Sequence, residues 1–68
     1  MTDRSHEADS QLLRKEEVAE RLRVPIGTLN HWVQTGQGPR SARIGRRRLW
    51  RAADVDAWVA AQFEEQNR

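Results

Sequence analysis

Arg40-Ser41-Ala42-Arg43-Ile44-Gly45-Arg46-Arg47-Arg48-Leu49-Trp50-Arg51 carries six arginines and no acid. A basic run by itself reads as a solvated face or a tail. Here Ile44, Leu49 and Trp50 are set among the charges, with Gly45 between the two mixed segments. Glycine suits the tight turn of a hairpin because it accepts φ > 0 without steric cost. The run therefore predicts a folded β-ribbon, Arg40–Ile44 against Arg48–Arg51, with Gly45-Arg46-Arg47 at its tip. Its apolar/polar alternation is imperfect, so the register is open by one residue.

On the C-terminal side, Val55, Trp58, Val59 and Phe63 recur at i, i+3, i+4 and i+8, which predicts an amphipathic helix from about Ala53 to Gln62 or beyond. Asp54 and Asp56 near its start suit the helix dipole. On the N-terminal side, Gln37-Gly38-Pro39 reads as a turn, and Gly36 as the end of a helix spanning about Ile26–Gln34. That helix puts Leu29, Trp32 and Val33 on one face. A further helix lies in Lys15–Leu22, with Val18, Ala19 and Leu22 as its apolar stripe and Glu16 and Glu17 in its first turn. Val24-Pro25 stops it, since the residue before proline is pushed out of the α region, and Pro25 suits the opening of the next helix. Helices joined through only Arg23–Ile26 cross steeply, as in a helix-turn-helix. Leu12-Leu13 starts the ordered region as a short extended piece. The expected fold is mostly α with a small β-hairpin: a winged helix-turn-helix of three helices and a basic two-stranded wing. Residues 1–11 read as a flexible arm, 12–63 as the domain and 64–68 as a short tail.

Composition sets the limits. A chain of 68 residues is one domain, burying only about 60% of its unfolded surface. It has no cysteine to staple it, and its three tryptophans are the substitute. All three, Trp32, Trp50 and Trp58, fall at core-facing positions. The longest apolar run, Ala57–Ala61, is far short of the roughly 20 residues that span a bilayer. The polar, mixed-charge N-terminus is no signal peptide. The expectation is a cytoplasmic, nucleoid-associated protein with no membrane contact.

The net charge of +2 hides an uneven distribution. Residues 40–51 carry +6, while the other six basic and ten acidic residues sum to −4. Eleven of the twelve basic residues are arginine, whose planar fork of donors suits phosphate and guanine edges. A polyanion, double-stranded DNA, is the expected partner. With Leu29, Trp32 and Val33 inward, Gly27, Asn30, His31 and Gln34 face outward. Asn and Gln can pair bidentately with adenine, and His can donate to an acceptor or a phosphate. Gly27 and Thr28, in the first turn, are placed to offer backbone N–H groups to phosphate. At the ribbon tip, Gly45 makes the turn, Arg46 and Arg47 suit a narrow minor groove, and Arg43 and Arg48 flank them as phosphate clamps. His6 and His31 are isolated among non-ligands, so no metal is expected, and no cofactor or small-molecule effector. The chain lacks nucleophile–base spacing and a glycine-rich phosphate loop, so it does not read as an enzyme.

The stretch Leu12–Val59 resembles the excisionase-like winged helix-turn-helix family, relatives of the MerR DNA-binding domain. The matching pieces are Leu12-Leu13, Glu16–Glu20, Val24, Thr28-Leu29, Trp32, Gly36–Pro39, Arg43–Arg47 and Asp54–Val59, in that order. The resemblance implies a recognition helix in the major groove and a wing in the adjacent minor groove. Members of the family include phage and mobile-element excisionases and small transcription regulators; the small size, basic wing and absence of an effector domain favour an excisionase (recombination directionality factor) that bends attachment-site DNA beside an integrase and neighbouring copies of itself. A small transcription regulator on the same fold is the alternative. A MerR-type dimer needs a coiled coil after the last helix, and Glu64–Arg68 does not supply one. Two departures stand out. Arg14 occupies a position where relatives carry a Ser or Thr N-cap, whose loss costs about 0.5–2 kcal/mol, so a frayed helix start is expected. Relatives also carry Arg or Lys where this chain has Asn30, His31 and Gln34, which weakens the expectation of guanine contacts from this helix.

Overall fold

The computed structural model describes residues 11–67. In chain order these form β1 (Leu12–Leu13), α1 (Lys15–Leu22), α2 (Ile26–Thr35), β2 (Ala42–Ile44), β3 (Arg47–Arg51) and α3 (Ala52–Gln66). The expected arm falls outside the described residues except for Gln11, whose carbonyl accepts the Ala52 N–H at 2.9 Å. The architecture is a winged helix-turn-helix. Its sheet has three strands rather than the two expected, because β1 adds to the ribbon in the order β1-β3-β2, all antiparallel. A two-residue strand is too short to show a period, so only its tertiary pairing reveals it. α3 runs through Glu64 and Glu65 to Gln66, into the segment assigned to a tail.

Local chemistry sets the helix ends. Arg14 offers no side-chain cap, yet the start of α1 is held: the Glu17 carboxylate accepts the Arg14 N–H at 2.7 Å. The Arg14 carbonyl takes the first helical bond, from the Val18 N–H at 2.9 Å. This is half of a capping box: the N-cap N–H is held, while Arg14 supplies no side-chain acceptor for the other half. α1 ends on Arg23 in the left-handed region at φ 59°, with its N–H and that of Val24 closing onto the Glu20 and Ala19 carbonyls. Left-handed geometry costs a non-glycine residue about 1–2 kcal/mol. Arg23→Gly should therefore raise stability by about 0.5–1 kcal/mol after glycine's extra unfolded-state entropy is deducted. Urea titration reads this as a higher midpoint at unchanged slope. Pro25 stands at the N-cap of α2, one position earlier than the first helical residue, and its carbonyl accepts the N–H groups of Thr28 and Leu29.

The core is Leu13, Val18, Ala19, Leu29, Trp50, Ala52 and Val55, with Leu22, Ile26, Trp32 and Val33 packed against it half-buried. Trp50 is its largest member at 1% exposure. It stands opposite Leu13 across the β1–β3 pair, and its buried indole N–H has no hydrogen-bond partner among the described residues. The other two tryptophans are half-buried, which corrects the expectation of three core positions. Trp32 and Trp58 instead lean on each other with ring centroids 5.4 Å apart and planes tilted by 46°. Gly38, at φ 80°, lies against this pair, and a Cβ there would come within 3.1 Å of the Trp32 ring. Phe63, the last member of the α3 stripe, is 66% exposed, because α3 continues past the body it packs on.

Candidate nucleic-acid interface

The outward face of α2 is as the helical period requires: Gly27, Asn30, His31 and Gln34 are exposed, and Leu29 is buried. Thr28 departs from expectation. Its backbone N–H is taken by the Pro25 carbonyl at 3.0 Å, so it is not free to meet a phosphate. Gly27 retains its open position, with nothing within 4 Å of where a Cβ would stand.

In the wing, Ile44 pairs with Arg47, Arg43 with Arg48, and Ala42 with Leu49. The turn is therefore Gly45-Arg46 alone, with Gly45 at φ 65° and Arg47 already in β3. Glycine at the first central position with positive φ is the pattern of a type II′ hairpin turn, whose twist matches that of the strands. The tip expected over Gly45-Arg46-Arg47 is thus one residue shorter. Strand alternation puts Arg43 and Arg48 on the same face as Trp50, and Arg47 on the other. Arg43 directly opposite Arg48 is a like-charge cross-strand pair, which destabilises the ribbon.

The ion pairs among the described residues spare the wing tip. Arg21 meets Asp56 at 3.3 Å and Arg51 meets Asp54 at 2.8 Å. Arg40, Arg43, Arg46, Arg47 and Arg48 are exposed with no acidic partner among the described residues. Arg48 is steadied from the side by donating to the Ser41 hydroxyl at 2.9 Å. α3, by contrast, holds Asp54, Asp56, Glu64 and Glu65 and no base. Five of the six arginines of the basic segment thus have no acidic partner among the described residues, and their charge is open to an external anion.

α2 and the wing line a common cleft of about 600 Å³. Asn30 and Gln34 line it from α2, and Arg46, Arg47 and Arg48 from the wing. The structure thus brings together five of the residues singled out from sequence; Gly27, Thr28, His31, Arg43 and Gly45 lie outside the lining. Two cations that sequence reading missed also line the cleft: Arg14 and Lys15, at the start of α1. Their one sequence signal is the arginine standing where a small hydroxyl residue is usual.

Among the described residues no helix is long and apolar enough to cross a membrane. No group of three or more His, Cys, Asp or Glu among them could hold a metal ion. No curated protein and no solved structure matches the chain. A family model described as a helix-turn-helix domain matches residues 12–62. With two helices joined through the short turn Arg23–Pro25, an exposed α2 face and an arginine wing beside one cleft, the chain belongs to the helix-turn-helix domain family and is a DNA-binding protein.

Proposed function

We propose that this domain reads duplex DNA with α2 in the major groove and the wing in the adjacent minor groove, acting as an excisionase for an integrase. The observation that carries the DNA geometry is the shared cleft: base-reading amides on α2 and unpaired arginines on the wing flank one channel. Phosphate contacts fix position and base contacts specify sequence. In this reading Asn30, His31 and Gln34 specify, with Gly27 at the helix start close to the backbone. Arg43, Gly45, Arg46, Arg47 and Arg48 grip.

The division has a measurable consequence. Asn30→Ala with His31→Ala should weaken binding to the specific site by about 1–3 kcal/mol per lost base contact while leaving random duplex nearly unaffected. Equal losses on both, in parallel titrations, would move these residues to the backbone.

In this role the domain acts by arranging DNA for another protein. Several copies on one face of the duplex, about one helical turn apart, would add their bends. Bending 20–30 base pairs by 40–90° costs on the order of 1–6 kcal/mol, which several arginine–phosphate contacts per copy offset. The experiment is a reconstituted reaction with the integrase encoded nearby, with and without this protein. Stimulated excision and suppressed integration support the excisionase role. No effect in either direction, with repression of an adjacent promoter, assigns the protein to transcription regulation instead.

A further inference from the structure

We infer that Arg14 and Lys15 form a second phosphate-gripping wall, facing the wing across the cleft, with the sugar–phosphate backbone between the two grooves as its ligand. The inference rests on the DNA-binding geometry proposed above and extends it to an element outside the reading helix and the wing. In a duplex the ridge separating a major groove from the next minor groove is one phosphodiester strand. A helix in the first groove and a wing in the second must straddle that ridge. The cleft between α2 and the wing is therefore the place the ridge occupies.

The lining of that cleft fits an anionic ridge from both sides. Arg46, Arg47 and Arg48 stand on the wing side, and Arg14 and Lys15 on the α1 side. Glu16 is the one carboxylate on the lining, against these five cations. Neither Arg14 nor Lys15 is in either ion pair of the described residues. The position also works against the helix it opens. The first turn of a helix favours negative side chains and an N-cap favours a small hydroxyl or carboxylate, so a cation there weakens α1. Glu17 compensates by taking the Arg14 backbone N–H at 2.7 Å. That bond uses the main chain of Arg14, and among the described residues its guanidinium enters no ion pair. An arginine that costs helix stability, is held by its backbone and lines a basic cleft is placed for an external anion.

Arg14→Ser separates this role from a structural one because the two readouts move in opposite directions. Supplying a conventional N-cap should raise the melting temperature by about 4–8 °C in a domain this small. The same change should weaken binding to specific and random duplex alike. It should flatten the dependence of log K on log salt by about 1, as expected for one lost phosphate contact. Lys15→Gln, which leaves the cap position untouched, should flatten the slope by a similar amount. Binding is measured well below the melting temperature, with Arg46→Ala/Arg47→Ala as the reference for a wing defect. If Arg14→Ser and Lys15→Gln keep the wild-type slope while the wing variant flattens it, the second wall is refuted and the DNA-binding geometry survives. If the wild-type protein shows no salt-dependent binding to any duplex, both fall.

Discussion

Trp50→Ala should abolish the cooperative thermal transition of this domain. Trp50 is 1% exposed and is the largest buried side chain, wedged on the face of β3 where Leu13 stands opposite it. Truncating a buried tryptophan costs about 3–5 kcal/mol. At roughly 0.05–0.15 kcal/mol per residue, a chain of this length has about 3–10 kcal/mol in all. The variant therefore sits at or near the unfolding threshold at 25 °C, and circular dichroism should show a weak, non-cooperative signal. Trp58→Ala should behave differently. Trp58 is half-buried and loses mainly its tilted contact with Trp32, so its cost is closer to about 1–2 kcal/mol and the fold persists. Trp50→Phe is a third comparison. It loses buried area but also removes an indole N–H that has no partner among the described residues, a group whose burial costs about 1–3 kcal/mol. The two effects offset, and the variant should fold. A Trp50→Ala protein that melts like wild type would show that the sheet and α1 do not share one core.

The contrast between Trp50 and Trp58 shows where sequence reading reaches its limit. Val18, Leu29 and Val55 were legible as core because each lies on a helical stripe, and a stripe is a local property. The ends of α1 and α2 were legible for the same reason, through Val24-Pro25 and Gly36. Depth of burial is not local. Trp58 and Phe63 continue the α3 stripe, but the body beneath them runs out, and nothing in the period says where. Trp50 reaches the centre because β1 pairs with β3, a long-range contact made by a strand of two residues. The site divides in the same way. The outward face of α2 and the arginine ribbon follow from period and turn chemistry. That Asn30 and Gln34 share a cleft with Arg46–Arg48, and that Arg14 and Lys15 join them, depends on how α1 and the wing flank α2. Arg14 read from sequence as a missing cap; in three dimensions it is a cation on a basic wall.

Arg46→Ala/Arg47→Ala should produce the largest loss of DNA binding among the wing variants, and the salt dependence should show why. If the arginines of residues 40–51 neutralise four or five phosphates, they contribute roughly −4 to the slope of log K against log salt, on top of any contact made by Arg14 and Lys15. Through these contacts alone a fourfold rise in salt weakens wild-type binding by a few hundredfold. Removing two of them brings this contribution to about −2, worth only about twentyfold for the same change in salt. At low salt, where each phosphate contact is strongest, the double variant should bind at least about tenfold more weakly, on specific and random duplex alike. The free protein should respond in the opposite sense. Arg43 faces Arg48 across the ribbon, Arg46 and Arg47 follow at the turn, and no described acid neutralises them. Their mutual repulsion is present whenever DNA is absent, so deleting two of them should leave the melting temperature unchanged or slightly raised, most clearly at low ionic strength. Weaker binding with undiminished stability is the signature of charge held for a ligand. A wild-type slope shallower than about −2, or a double variant that loses stability and affinity together, would instead make the arginines part of the fold.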